Sequence, residues 1–248
     1  MHLVTKGYTQ IEGMDYYDNF SLVAKTVTVR LFYCNSYCLW MTLLQMDANN
    51  AFLHGHLDEE VYMLLPQGYD KAAGGLVFRL KKSLYGLKQA SRQLNIELTS
   101  KLEAYGFKQS PTTTACSHFV LILFFLALII YVDDVLLTGN SVDDLDKVKR
   151  YVDDLFTIKD LGHAKYFLGL ELARSSHGTY VSQRKYLLDI IYNCHLDDAR
   201  ATITPLPAGV KYDSESSPLL PSPDRYRRLV GRLLYLGFSC PDISFAVQ

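Results

Sequence analysis

The sequence predicts an α+β fold. Three observations carry that prediction: a strand–turn–strand pattern at 127–139, a second hairpin pattern around 175–178, and helical spacing of apolar residues at 26–40, 87–102 and 142–156. With 248 residues, 49% hydrophobic and 12% aromatic, the chain can bury one large core or a core with a smaller appendage. A net charge of −1 excludes a uniformly basic surface, so any anion-binding face must be local. The five cysteines include no C-x-x-C, and Cys34 and Cys38 lack a partner pair with metal-ligand spacing, which fits a reduced intracellular chain. The polar opening dozen residues predict no signal peptide. The apolar run 119–132 is shorter than the roughly 20 residues a membrane span needs.

In chain order, Val4, Lys6 and Tyr8 alternate as in a strand, and 12–20 is turn-rich. Val29, Phe32, Tyr33, Ser36 and Trp40 mark the inward stripe of the first helix. A short strand at 42–46 runs into Asp47, and another at 61–65 is closed by Pro66 and Gly68. The turn at Tyr85 and Gly86 opens the 87–102 helix, with Leu94, Leu98 and Leu102 inward. The apolar stretch 119–130 is a single strand feeding the hairpin. Ser141 caps the next helix, whose stripe is Leu145, Val148, Val152 and Leu155. Strands at 166–173 and 179–183 follow, then a helix capped by Ser182. Residues 202–224, with five of the eight prolines, form a linker to a last helix with Leu229, Leu233 and Leu236 inward.

Chemistry enters at Asp133 and Asp134. Buried carboxylates are costly unless paired, protonated or bound to a cation, and a hairpin resolves the conflict by placing both at its tip. The pairs at 143–144, 153–154 and 197–198 lie in polar surroundings and need no such account. Asp47 ends its strand before small and amide residues; it reads as a ligand-facing carboxylate or as the start of an Asx-turn. Segment 78–93 carries Arg79, Lys81, Lys82, Lys88 and Arg92 without an acid, interleaved with Phe78 and Tyr85. It reads as a phosphate-tracking surface or as a solvated face.

Six ordered segments make the chain recognisable: 45–55 (QMDANNAFLHG), 83–93 (SLYGLKQASRQ), 131–134 (YVDD), 165–171 (KYFLGLE), 226–236 (YRRLVGRLLYL) and 241–248 (PDISFAVQ). Together they resemble the reverse transcriptase of Copia-type LTR retrotransposon Pol polyproteins, over nearly the whole chain. The resemblance implies a right-hand polymerase with an antiparallel palm sheet backed by helices, partial fingers, and a helical thumb or connection. Fingers and palm would occupy 1–201, the linker 202–224, and the thumb or connection 225–248. It implies RNA-directed DNA synthesis by two-metal nucleotidyl transfer to a primer 3′-hydroxyl, with two Mg²⁺ ions (or Mn²⁺). Asp47, Asp133 and Asp134 would be the catalytic and metal-binding acids, with the Ala48 carbonyl as a further ligand. Phe52 would stack beneath the sugar and reject a 2′-hydroxyl by bulk. Tyr85, Gly86 and Gln89 would bind the nucleotide; Lys81, Lys82, Lys88, Arg92, Arg227 and Arg228 would contact nucleic acid. The implied partners are an RNA or DNA template–primer, dNTPs and the RNase H and integrase portions of Pol, without a membrane, in a cytoplasmic virus-like particle or the nucleus.

The sequence also departs from the family pattern. Basic fingers residues usually precede the segment that starts here at Met1. S-P-V-A-K reads Ser21-Leu-Val-Ala-Lys25, Leu94 stands where tryptophan is usual, and the element before the hairpin has become apolar after 115–119 (ACSHF). T-R-P-D reads Ser239-Cys-Pro-Asp242. These departures define the alternative expectation: a truncated, catalytically inactive remnant that is at most a non-specific nucleic-acid binder.

Overall fold

The computed structural model describes residues 4–19, 24–48, 51–53, 55–66, 68–69, 76–110, 116–121, 124–200 and 220–247. Residues 202–219 of the expected linker and residues 21–23 of the altered 21–25 motif lie outside them. Helices and antiparallel sheets are both present, in two compact units, residues 1–164 and 165–248.

The first unit opens with a 3-10 turn, Gly7–Thr9, where alternation predicts a strand. Helix α1 (Thr26–Cys38) buries Val29, Phe32, Tyr33 and Ser36 as the periodicity predicts. Trp40 is 68% exposed: the helix stops at Cys38 and the chain turns at Trp40 with φ +53°, off the buried stripe. Strand β1 (Thr42–Ala48) follows, then a 3-10 turn, Ala51–Leu53, and a hairpin of β2 (His56–Leu64) and β3 (Val77–Lys82). Helix α2 (Ala90–Tyr105) starts later than the spacing predicts, because 85–86 and 88–89 are turns. It ends on Gly106, whose φ of +113° closes the helix with bonds to the Leu102 and Glu103 carbonyls.

Strands β4 (Lys108–Gln109), β5 (Cys116–Leu121), β6 (Phe124–Tyr131) and β7 (Asp134–Gly139) come next. The apolar run expected as one strand is thus two, paired from Cys116↔Ile129 to Leu121↔Phe124. Helix α3 (Val142–Phe156) has the predicted bounds, and the Ser141 hydroxyl accepts from the Asp144 amide at 3.3 Å. Phe156 joins Leu145, Val148 and Val152 in its buried stripe, while Leu155 packs at the edge.

Strand β8 (Ile158–His163) completes a six-stranded antiparallel sheet in the order β4-β5-β6-β7-β1-β8. Leu94, Leu98 and Leu102 of α2 and the α3 stripe pack on one face, against Met46, Leu128, Ile130, Val135 and Leu137. Burying this face supplies roughly 25 cal/mol per Å² of apolar area. Side chains alternate along a strand, so Gln45 and Asp47 point to the opposite face from Met46 and Ala48. Helices therefore support the sheet from behind and leave the acidic face uncovered by α2 and α3.

The second unit holds the sheet β9 (Tyr166–Phe167), β10 (Leu170–Ser175) and β11 (Gly178–Ser182), then α4 (Arg184–Asn193), α5 (Asp224–Leu236) and α6 (Ser244–Val247). The expected Ser182 cap is replaced by Glu171, which accepts from the Lys185 amide at 2.9 Å and from the Ser182 hydroxyl at 3.2 Å. A carboxylate there also favours the helix dipole. Buried Gln183 accepts from the Ser239 amide and hydroxyl and donates to the Tyr235 carbonyl, tying α5 and its following turn to the end of β11.

Candidate active site

The three acids meet through strand pairing. Strand β1 runs between β7 and β8, and its register with β7 sets Asp47 opposite Asp134. Tyr131 pairs with Asp134, which leaves Val132 and Asp133 as a two-residue turn. Val132 takes φ +58° there, a position that glycine usually fills, and a β-branched residue in it stores about 1–2 kcal/mol of strain. The Ala48 amide donates to the Asp133 carbonyl at 2.9 Å, fastening the end of β1 to the turn. Asp47, Asp133 and Asp134 are all half-buried.

Their charges act on one another. Burial pushes the Asp134 carboxyl up, a hydrogen bond from Gln45 opposes that, and the charges of Asp133 and Asp47 push it further up. Gln45 Nε2 donates to Asp134 Oδ1 at 3.4 Å. Gln45 carries no expectation from sequence as a partner, although its place two residues before Asp47 puts it on the acidic face. None of the three acids enters an ion pair among the described residues. Nor does any group of three or more His, Cys, Asp or Glu side chains form a metal cage among them. The donor set still suits a hard cation: it is all oxygen, it repels itself, and Mg²⁺ characteristically leaves several positions to water and substrate phosphates.

Two aromatic residues flank the acids. Phe52, half-buried in its 3-10 turn, meets Tyr85 edge-on at 4.9 Å between ring centroids and 81° between planes. The Tyr85 phenol is pushed up by burial first and by Asp133 and Asp47 next, so the ring lies within their field. Gly86 follows with φ +96° and no space for a side chain: a Cβ would meet the Thr5 carbonyl oxygen at 2.2 Å.

Several other expected contact residues have partners within the protein. Gln89 is fully buried; its amide donates to the Asp15 carbonyl and accepts from Gln10, so it holds the N-terminal segment. Lys88 Nζ donates to the Gln10 carbonyl at 3.0 Å and lies over the Tyr16 ring. Arg92 pairs with Asp18 at 3.2 Å, and Arg79 with Glu60 at 2.8 Å. Lys81 and Lys82 project from β3, exposed and outside any ion pair among the described residues. Arg227 and Arg228 are exposed on α5 in the second unit. That unit also holds a cavity of about 650 Å³, lined by Glu171, Tyr180, Arg184, Leu187, Leu236 and Cys240 among others. No described helix is long and apolar enough to cross a membrane.

Comparison with known proteins gives this geometry its context. The chain is 40% identical, over 99% of its length, to the retrovirus-related Pol polyproteins from transposons RE2 and RE1 of Arabidopsis thaliana, and spans 17% of each. It is 33% identical over 99% of its length to that from transposon TNT 1-94 of Nicotiana tabacum, spanning 19% of it. No solved structure matches it significantly. The profile described as reverse transcriptase (RNA-dependent DNA polymerase) matches residues 1–208. Paired acids on a β1–β7 register and Pol relatives along nearly the full chain agree: this chain belongs to the reverse transcriptase (RNA-dependent DNA polymerase) family, of the Copia-type retrotransposon kind.

Proposed function

We propose that this chain provides the palm and part of the fingers of an RNA-directed DNA polymerase that extends a primer 3′-hydroxyl with deoxynucleotides. The observation that carries this reading is the meeting of Asp47, Asp133 and Asp134 on adjacent strand ends, without a cationic partner among the described residues. The six-stranded sheet is the palm, the β2–β3 hairpin belongs to the fingers, and α5 with Arg227 and Arg228 to the thumb or connection.

Asp47, Asp133 and Asp134 would hold divalent cations, two Mg²⁺ ions in the full catalytic state. When bound, these supply charge stabilisation to the phosphoryl group and acidify the primer hydroxyl. The protein's own residues do the rest. The β1–β7 register fixes the spacing of the acids, and the Ala48 amide steadies the Asp133 turn. Gln45 holds Asp134 by one oxygen. Phe52 would exclude a 2′-hydroxyl by its bulk, and the Tyr85 ring meets it edge-on. Lys81 and Lys82 are free to meet phosphates; the template–primer, dNTPs and the remainder of a Pol polyprotein are the corresponding partners. The test is primer-dependent dNTP incorporation with Mg²⁺, lost on Asp133→Asn. Equal signal from wild type and Asp133→Asn would reject polymerisation and leave a non-catalytic nucleic-acid binder.

A further inference from the structure

The N-terminal residues cross the Tyr85 turn more tightly than any packing argument requires. The Thr5 amide and hydroxyl both donate to the Tyr85 carbonyl, at 2.8 and 3.0 Å. Two residues on, Gly7 lies so close to Gly86 that a Cβ on it would stand 1.7 Å from the Gly86 carbonyl oxygen. No side chain fits in that space, and the neighbour is backbone, which cannot swing aside. Gly86 has the same restriction from its own side, against Thr5. Gln10 then accepts from the Lys88 amide at 2.8 Å and donates to the buried Gln89 at 3.1 Å. The contacts continue through Asp15, Tyr16 and Asp18 to Gln89, Lys88 and Arg92. Residues 5–18 thus fix the backbone that carries Tyr85. Tyr85 in turn meets Phe52 edge-on.

We propose that this N-terminal strap sets the Tyr85 ring against Phe52, and that Thr5 and Gly7 are thereby positioning residues for discrimination between deoxyribo- and ribonucleotides. The sugar-selection part rests on the polymerase reading of Phe52; the ring placement does not. Phe52 excludes a 2′-hydroxyl only while its own rotation is blocked, and the Tyr85 edge blocks it. A displaced turn carries the Tyr85 edge away from Phe52 and loosens that ring on its side facing Tyr85. A strap defect therefore reduces sugar selection before it affects the acids, which β1 and β7 hold independently.

The experiment uses the full chain as Gly7→Ala, Thr5→Val and Thr5→Ser, with two readouts. The first is the NMR cross-peak between the Phe52 and Tyr85 rings in protein labelled at Phe and Tyr, assigned by its loss in Tyr85→Leu. The Tyr69–Phe78 ring pair, 5.4 Å apart on another part of the unit, reports that each variant is folded. Expected is a loss of at least half of the Phe52–Tyr85 intensity in Gly7→Ala and Thr5→Val, with Thr5→Ser like wild type. The second readout is the dNTP-over-rNTP preference, expected to fall about tenfold in the same two variants. If Gly7→Ala does not fold, Thr5→Val against Thr5→Ser decides alone. An unchanged ring contact in a folded Thr5→Val overturns the strap. Failure of wild type to incorporate any nucleotide overturns the polymerase reading and sugar selection with it, while the ring contact still judges the strap.

Discussion

Two charged stretches of the first unit behave oppositely. In the β6–β7 hairpin, acids gather where nothing among the described residues neutralises them, and burial and mutual repulsion push Asp134 up. In 78–93, the cations that suggest a nucleic-acid surface are largely occupied inside the molecule: Arg79 by Glu60, Arg92 by Asp18, Lys88 by Gln10 and Tyr16. Charge density in a sequence counts groups; only the fold says which have partners. A cluster that lacks them is poised for a ligand, and a cluster that has them is structure.

The largest effect that tests this contrast is at the acids. Asp47→Asn or Asp133→Asn is expected to lower incorporation by about a thousandfold or more. Removing one of the like charges also relieves repulsion, so Asp133→Asn raises Tm in metal-free buffer by about 2 °C. A calorimetric fall of similar size would mean that the acids are not mutually repelling. Arg92→Ala has the reverse signature: a lower Tm and little change in the salt dependence of primer–template binding. Between these lies the Lys81→Ala, Lys82→Ala double variant. Its log–log salt slope on duplex should flatten by about 0.9 for each phosphate that the protein no longer neutralises, with Tm unchanged. A flattened slope in Arg92→Ala and not in the lysine variant would reverse the assignment.

What the sequence made legible follows the range of the interactions. Helix α3 was readable end to end because its cap, its acidic first turn and its apolar stripe are all local. The hairpin tip was readable because two acids in apolar sequence have few places to go. The division of 119–130 into β5 and β6 was not, since neither Leu121 nor Phe124 is a turn residue. Strand β8 was missed because Lys159, Asp160 and Gly162 break its alternation; it forms by pairing with β1 at the sheet edge. The strap over Tyr85 joins residues about 80 apart in sequence, and Gly7 carries no mark of the backbone it must clear. Gln89, which the motif sets among the nucleotide-binding residues, is buried against the N-terminal segment, a long-range contact the motif does not mark.

The smallest expected effect separates a partnered from an unpartnered carboxylate by the sign of its pH dependence. Asp160 is held below the usual carboxylate range by Lys149, 2.5 Å away, and by the Gly162 amide. The folded form then holds its proton less readily than the unfolded chain, so its contribution is present at neutral pH and is lost as pH falls below about 4 through the lowered pKa. For an exposed pair this is worth under about 1 kcal/mol. Asp134 runs the other way: its folded form takes up a proton more readily than the unfolded chain. Its penalty is therefore present at neutral pH and is relieved as pH falls through the raised pKa towards about 4. Melting curves from pH 3 to 7 without divalent cations, on Asp134→Asn and Asp160→Asn, read the difference directly. Asp134→Asn should exceed wild type at pH 7 and converge with it in acid; Asp160→Asn should fall short at pH 7 and converge likewise. Added Mg²⁺ should close the gap for Asp134→Asn at pH 7 by stabilising wild type, and leave the Asp160→Asn deficit no smaller, because a bound cation compensates only the acids that lack a partner.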